Sequence, residues 1–233
     1  MLKPSPRETF DRHLQNLLDD VLLLGSMVEQ AVREAVDTLK NQDIETAHQV
    51  YRNDDKINEK RYAIENDCLT LIATQQPMAR DLRLLAAVLE IITELERIGD
   101  YAKGICRITI FLGEEPLPIS TADLEMMADI GLSMLRRSLG AFVARDTETA
   151  RQIPLEDNQV DDLYNRVYRD LMSRMIADPT TVDRTNYLVW AAHNLERMAD
   201  RVTNICERII FVTTGEMREM DSTDDEAIDR RHI

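Results

Sequence analysis

Apolar residues recur at spacings of three and four along almost the whole chain. Leu14, Leu17, Val21, Leu24, Val28, Ala31, Ala35 and Leu39 form one stripe down a long first helix. A second helix is expected to begin at "NQDIETAHQV", where Asp43 can cap the free amides, and to run to about residue 74. Pro77 in "TQQPMARDLR" breaks the run, because the residue before a proline is pushed out of helical backbone. A third helix, over about 78–112, carries Leu84, Val88, Ile91, Leu95, Ile98, Ala102 and Ile105 on one side and stops at "GEEPLPIS", the clearest loop in the chain.

After that loop the pattern starts again with "TADLEMMADIGLSML", then "RDTETARQI", then Pro179 in "ADPTTVDR", then a final long helix. "QDIETA" matches "RDTETA", "NDDKIN" matches "EDNQVD", and "ELERIGDYAKGIC" (94–106) matches "NLERMADRVTNIC" (194–206), all in the same order. Short links between long helices favour antiparallel neighbours. The expected fold is therefore all-α, two tandem pseudo-symmetric three-helix bundles built from six long antiparallel helices, each rod on the order of 50 Å. The expected boundaries are 1–112 for the first repeat, 113–120 for a linker, 121–212 for the second repeat and 213–233 for a frayed acidic tail.

Composition agrees with helices and limits the partners. Of 233 residues 44% are hydrophobic, enough for real cores, while Gly and Pro number 7 each and aromatics make up 5%, too few for sheets. With 43 acidic against 28 basic side chains the net charge is −15, and no basic stripe is present to neutralise phosphates, so nucleic acid and bare anionic membrane are excluded as partners. Polyvalent cations or a protein with a basic face are favoured. No apolar run approaches the ~20 residues of a membrane span and "MLKPSPRETF" lacks a signal-peptide core, so a cytoplasmic location without membrane insertion is expected. Cys68, Cys106 and Cys206 show no CxxC spacing and are read as reduced, packed thiols.

The candidate chemistry lies in the repeated Glu-Arg-x-small-Asp stretch. With Leu95 at the centre of the apolar stripe, Glu96 and Asp100 fall about 100° and 140° away, toward the solvent edge, and Glu196 and Asp200 stand likewise about Leu195. Gly99 or Ala199 between them is expected to leave open space. Carboxylates at i,i+4 lie roughly 5–6 Å apart and repel. Relief can come from Arg97, Lys103 or Arg107 in the first copy and Arg197 or Arg201 in the second, from solvent screening, or from a bound hard cation. Repetition favours the cation, as does a second acidic pair on each preceding helix: Asp54 with Asn58, and Asp157 with Asp161, beside Ile57 and Val160. If those helices are antiparallel neighbours, Asp54 comes level with Asp100 and four oxygen-bearing side chains converge. Such a set suits Mg, Ca, Mn or Fe better than Zn. His193 projects near Asp200, but its counterpart is Thr93, so it is read as exposed and incidental.

"QPMARDLR" followed by "ELERIGDYAKGICR" and then "NLERMADRVTNICE" resembles the PhoU family of accessory regulators of bacterial phosphate-specific transport and of the phosphate regulon. The resemblance spans about residues 8–215, and the doubled ERxGDxAxxI-type motif is specific. It implies a divalent or multinuclear metal, with Fe, Mn, Mg and Zn all open, held by Glu96, Asp100 and Asp54 in one repeat and by Glu196, Asp200, Asp157 and Asp161 in the other. It further implies a non-enzymatic adaptor that associates with the ATP-binding subunit of the phosphate ABC transporter and with the phosphate-sensing histidine kinase, and that acts as a negative regulator when phosphate is plentiful. Asn58 is a weaker ligand than Asp161, so weaker metal binding is expected in the first repeat, while Ala199, where the motif commonly has Gly, still leaves room in the second. A homodimer is expected, with Met126, Met127 and Phe142 as apolar residues that serve either its contact or the core.

The rival class is a di-iron carboxylate protein with oxygen or iron-storage chemistry. That chemistry wants two Glu-x-x-His motifs pointing into a bundle. Here one such string exists, Glu45 to His48, against "ETAR" in the second repeat. No Walker loop, GxSxG or HExxH occurs, and nothing resembles an anion nest for free phosphate.

Overall fold

The computed structural model describes residues 6–217 and 220. Positions 218, 219 and 221–233, most of the expected acidic tail, lie outside the described residues. The chain divides into two compact units, 1–116 and 117–233.

In the first unit α1 (Pro6–Asn41), α2 (Ile44–Gln75) and α3 (Ala79–Leu112) all pack on one another. Asp43 caps α2 as expected, its carboxylate accepting from the Thr46 amide at 3.0 Å. Gln76, left-handed at φ 46°, closes α2 just before Pro77. Helices α2 and α3 run antiparallel. Cys68 lies against the Leu85 carbonyl at 3.3 Å near one end of the pair, and Asp54 meets Lys103 at 2.7 Å farther along. Val21, Leu24, Val28, Ile64, Leu85, Ile91, Leu95 and Ile98 are fully buried, each worth about 1.5–3 kcal/mol in transfer from water.

In the second unit α4 (Ala122–Ala144) is followed by a short α5 (Thr147–Gln152), a 3₁₀ turn (Ile153–Glu156), α6 (Asp157–Ala177), a second 3₁₀ turn (Pro179–Thr181) and α7 (Val182–Thr214). Its middle helix is thus interrupted where that of the first unit is continuous. Pro154, at the start of the 3₁₀ turn, has no N–H to give to the preceding turn. Fully buried Ala150 and Ile153 hold the break against the core, and Arg137 clasps Glu156 at 2.7 and 2.8 Å across it. One consequence reaches the motif: Asp157 becomes the first residue of a helix, where the macrodipole favours a carboxylate, while Asp54 sits mid-helix.

Met127 and Phe142 lie wholly in the second unit's core, at 0% and 2% exposure, so neither is available for a dimer contact; of the expected trio only Met126 faces solvent. No helix among the described residues is long and apolar enough to cross a membrane.

Candidate metal sites

In the first bundle the apolar register of α3 buries Leu95, Ile98 and Gly99, leaves Glu96 half-buried and sets Asp100 at the solvent edge. Asp54 goes deeper than its place beside the stripe suggested, at 3% exposure. The reason is the close approach of α2 and α3. A Cβ added at Gly99 would lie 3.2 Å from Ile57 Cδ1, 3.4 Å from Ile57 Cγ2 and 3.8 Å from Asp54 Oδ1. A side chain at position 99 would therefore crowd Ile57, while beside it Gly99 and Asp54 line an open cavity of about 240 Å³, the space expected next to the carboxylates.

Asp54 Oδ2 accepts from Lys103 Nζ at 2.7 Å and from Asn58 Nδ2 at 3.1 Å, while Oδ1 is buried without a hydrogen-bond partner. The Lys103 ammonium also stands 5.1 Å over the Tyr51 ring. Its pKa is raised, first by the hydrogen bond to Asp54 and against its own partial burial, with the charges of Asp54, Tyr51 and Asp100 adding. Burial raises the pKa of Glu96, as do Asp100 and Asp54, with Arg61 and Arg97 opposing. Asp100 is raised by partial desolvation first, then by Asp54, with Lys103 opposing. The three carboxylates thus share one electrostatic neighbourhood.

They do not share a ligand point. Among the described residues no three His, Cys, Asp or Glu side chains form a group able to hold a metal ion, so the convergence expected of Asp54, Asn58, Glu96 and Asp100, and of Asp157, Asp161, Glu196 and Asp200, is not reached in this arrangement. In the first copy the Lys103 ammonium and the amide N–H of Asn58, not its oxygen, both meet Asp54 Oδ2. Arg97, a candidate counter-charge for the motif, is drawn instead to the buried Glu94 at 2.8 Å.

In the second bundle Asp157 is buried at 8% exposure, and Asp161, one turn later, is half-buried. Glu196 and Asp200 are half-buried on either side of the fully buried Ala199. His193 is not incidental. One turn before Glu196, it places Nδ1 3.1 Å from Oε2, with its ring 6.2 Å from Tyr164 and 6.3 Å from Trp190. Burial, then Arg197, lowers its pKa, and Asp200 opposes. At the position of Lys103 this copy has Thr203, whose hydroxyl is buried without a hydrogen-bond partner. Asp157, Asp161, Glu196 and Asp200, with no lysine among them, are hard oxygen donors of the kind that suits Mg²⁺, Mn²⁺ or iron, and in this arrangement they stand apart from one another. The first set, with one ammonium built in, fits poorly.

The roles of Tyr51 and Arg61 have no sequence signal, since both act across the α2–α3 interface. Glu45 and His48, the one Glu-x-x-His string, both face solvent in the opening turns of α2, not the bundle interior that di-iron chemistry requires.

A family model described as the PhoU domain matches residues 21–109 and 124–209. The phosphate-specific transport system accessory protein PhoU of Serratia marcescens is 38% identical over 89% of this chain and 85% of its own length. The PhoU homolog of Clostridium acetobutylicum is 33% identical over 92% of this chain and 98% of its own. The crystal structure of PhoU from Pseudomonas aeruginosa superposes with a TM-score of 0.84 at 32% identity, covering 89% of this chain and all of that one. The phosphate transport system regulatory protein PhoU of Streptococcus pneumoniae also superposes at 0.84, with 29% identity. Two matched domains, laid on a duplicated three-helix bundle with the carboxylate motif on the third helix of each copy, place this chain in the PhoU family.

Proposed function

We propose that this protein is a non-enzymatic accessory regulator of phosphate-specific transport. The observation that carries the reading is the pair of half-buried carboxylate clusters at corresponding positions of two bundles, in a chain whose relatives bear the name of phosphate transport accessory proteins. It works at the cytoplasmic face as a homodimeric adaptor between the ATP-binding subunit of the phosphate ABC transporter and the phosphate-sensing histidine kinase, and it restrains the kinase when phosphate is plentiful. Long helices offer the large docking faces that such a role needs.

A hard divalent cation belongs to the proposal. Asp157, Asp161, Glu196 and Asp200 would hold it, and when bound it would supply positive charge that favours the ionised form of the buried Asp157 and of its three half-buried neighbours. The protein's own part is to fix α6 against α7, with His193 Nδ1 standing 3.1 Å from Glu196 Oε2. Deletion of the gene, followed by a phosphate-regulon reporter in phosphate-rich medium, tests the adaptor. Derepression that is reversed by the wild-type gene and not by an Asp200→Asn, Glu196→Gln allele is expected; a reporter that stays silent in the deletion strain refutes the regulatory role.

A further inference from the structure

We propose that Lys103 is a built-in counter-cation which closes the first bundle's carboxylate cluster to metal, a cation held covalently, as a side chain. The inference rests on the proposed cation reading of the motif. Its own support is geometric. Asp54 is 3% exposed and presents one oxygen to the Lys103 ammonium at 2.7 Å, while the other is buried, without a hydrogen-bond partner, beside Gly99. A buried carboxylate needs a compensating charge, and within this cluster Lys103 supplies it. The aromatic face of Tyr51 keeps the ammonium in place, and Asn58 donates to the same oxygen that Lys103 contacts.

Access is not what excludes a metal. Asp54, Gly99 and Lys103 line a cavity of about 240 Å³ that also takes in Glu34 and Gln30 of α1, ample for a hydrated ion. A divalent cation entering there meets an ammonium already on the Asp54 oxygen. It has to displace that charge before it gains a ligand. In the second copy the corresponding residue, Thr203, brings a neutral hydroxyl oxygen instead.

The test is equilibrium dialysis of the chelator-stripped full chain against Mn²⁺ alone. Lys103→Thr should take up about one Mn²⁺ per chain more than wild type, and Asp54→Asn in that background should abolish the gain. Lys103→Arg should gain nothing. In the wild-type background Asp100→Asn should leave uptake unchanged, a result that does not depend on the Lys103 variants folding. Two outcomes overturn the inference: wild-type uptake that drops with Asp100→Asn, and a folded Lys103→Thr chain that gains nothing. Wild-type uptake indifferent to Asp200→Asn with Glu196→Gln would instead refute the cation reading of the second bundle. The gain in Lys103→Thr is scored separately in the first, so the two failures are told apart.

Discussion

Gly99→Ala is the most direct probe of how the motif is built, because the two copies carry different residues at the matching positions: Gly99 and Ile57 in the first, Ala199 and Val160 in the second. In an isolated helix the substitution gains about 0.5–1 kcal/mol by restricting the unfolded chain. Here the new methyl meets Ile57 Cδ1 at 3.2 Å and Cγ2 at 3.4 Å, so that Ile57, 4% exposed, has to shift by a few tenths of an ångström. Overpacking of this kind costs about 1–3 kcal/mol. The single variant should therefore be neutral to about 2 kcal/mol less stable. Ile57→Val removes the Cδ1 that makes the tightest contact and by itself costs about 0.5–1.5 kcal/mol. Combined, the two changes give the residues of the second copy, and the alanine methyl occupies the space that the valine vacates. The double variant should lie within roughly 0.5 kcal/mol of wild type, a favourable coupling of about 1 kcal/mol or more. Urea denaturation followed by far-ultraviolet circular dichroism measures it. Additive effects, with coupling below about 0.3 kcal/mol, would show that Gly99 is not held by Ile57 and would undo the explanation for the glycine.

Asp100→Asn should raise the melting temperature of the metal-free protein at neutral pH. The folded-state pKa of Asp100 is raised, so folding binds its proton more tightly and stability falls as pH climbs through the carboxylate range; a lower melting temperature would contradict this. At the caps the sign is opposite. Thr46 and Thr149 hold the pKa values of Asp43 and Asp146 below normal, so their stabilisation is present above the ordinary carboxylate pKa and lost as pH drops through the lowered value. Asp43→Ala and Asp146→Ala should melt below wild type at neutral pH and converge with it in strong acid; a gap that persists in acid would rule out the charged cap. The buried thiols should resist iodoacetamide at neutral pH until the chain is denatured, because burial pushes Cys106 and Cys206 up to about 12 and Cys68 to about 11. Labelling of the folded chain as fast as of the unfolded chain would refute that.

What could be read from the sequence is what neighbouring residues decide among themselves. The apolar period set the long helices, Asp43 set a cap, Pro77 set a break and internal matching exposed the duplication, all within one turn of helix or one repeat of chain. The edge placement of Glu96 and Asp100 followed from the same arithmetic. What needed the tertiary structure was every relation between helices. The depth of Asp54, the capture of its carboxylate by Lys103, the plug of Ile57 over Gly99 and the inward turn of Met127 and Phe142 all depend on how one helix is rotated and slid against another. His193 needed it too, since only the packing of α6 on α7 sets Tyr164 beside the ring that contacts Glu196. Helical periodicity fixes which residues share a face; the depth to which that face sinks, and which charge meets it there, is settled by side-chain volumes on segments far apart in the chain.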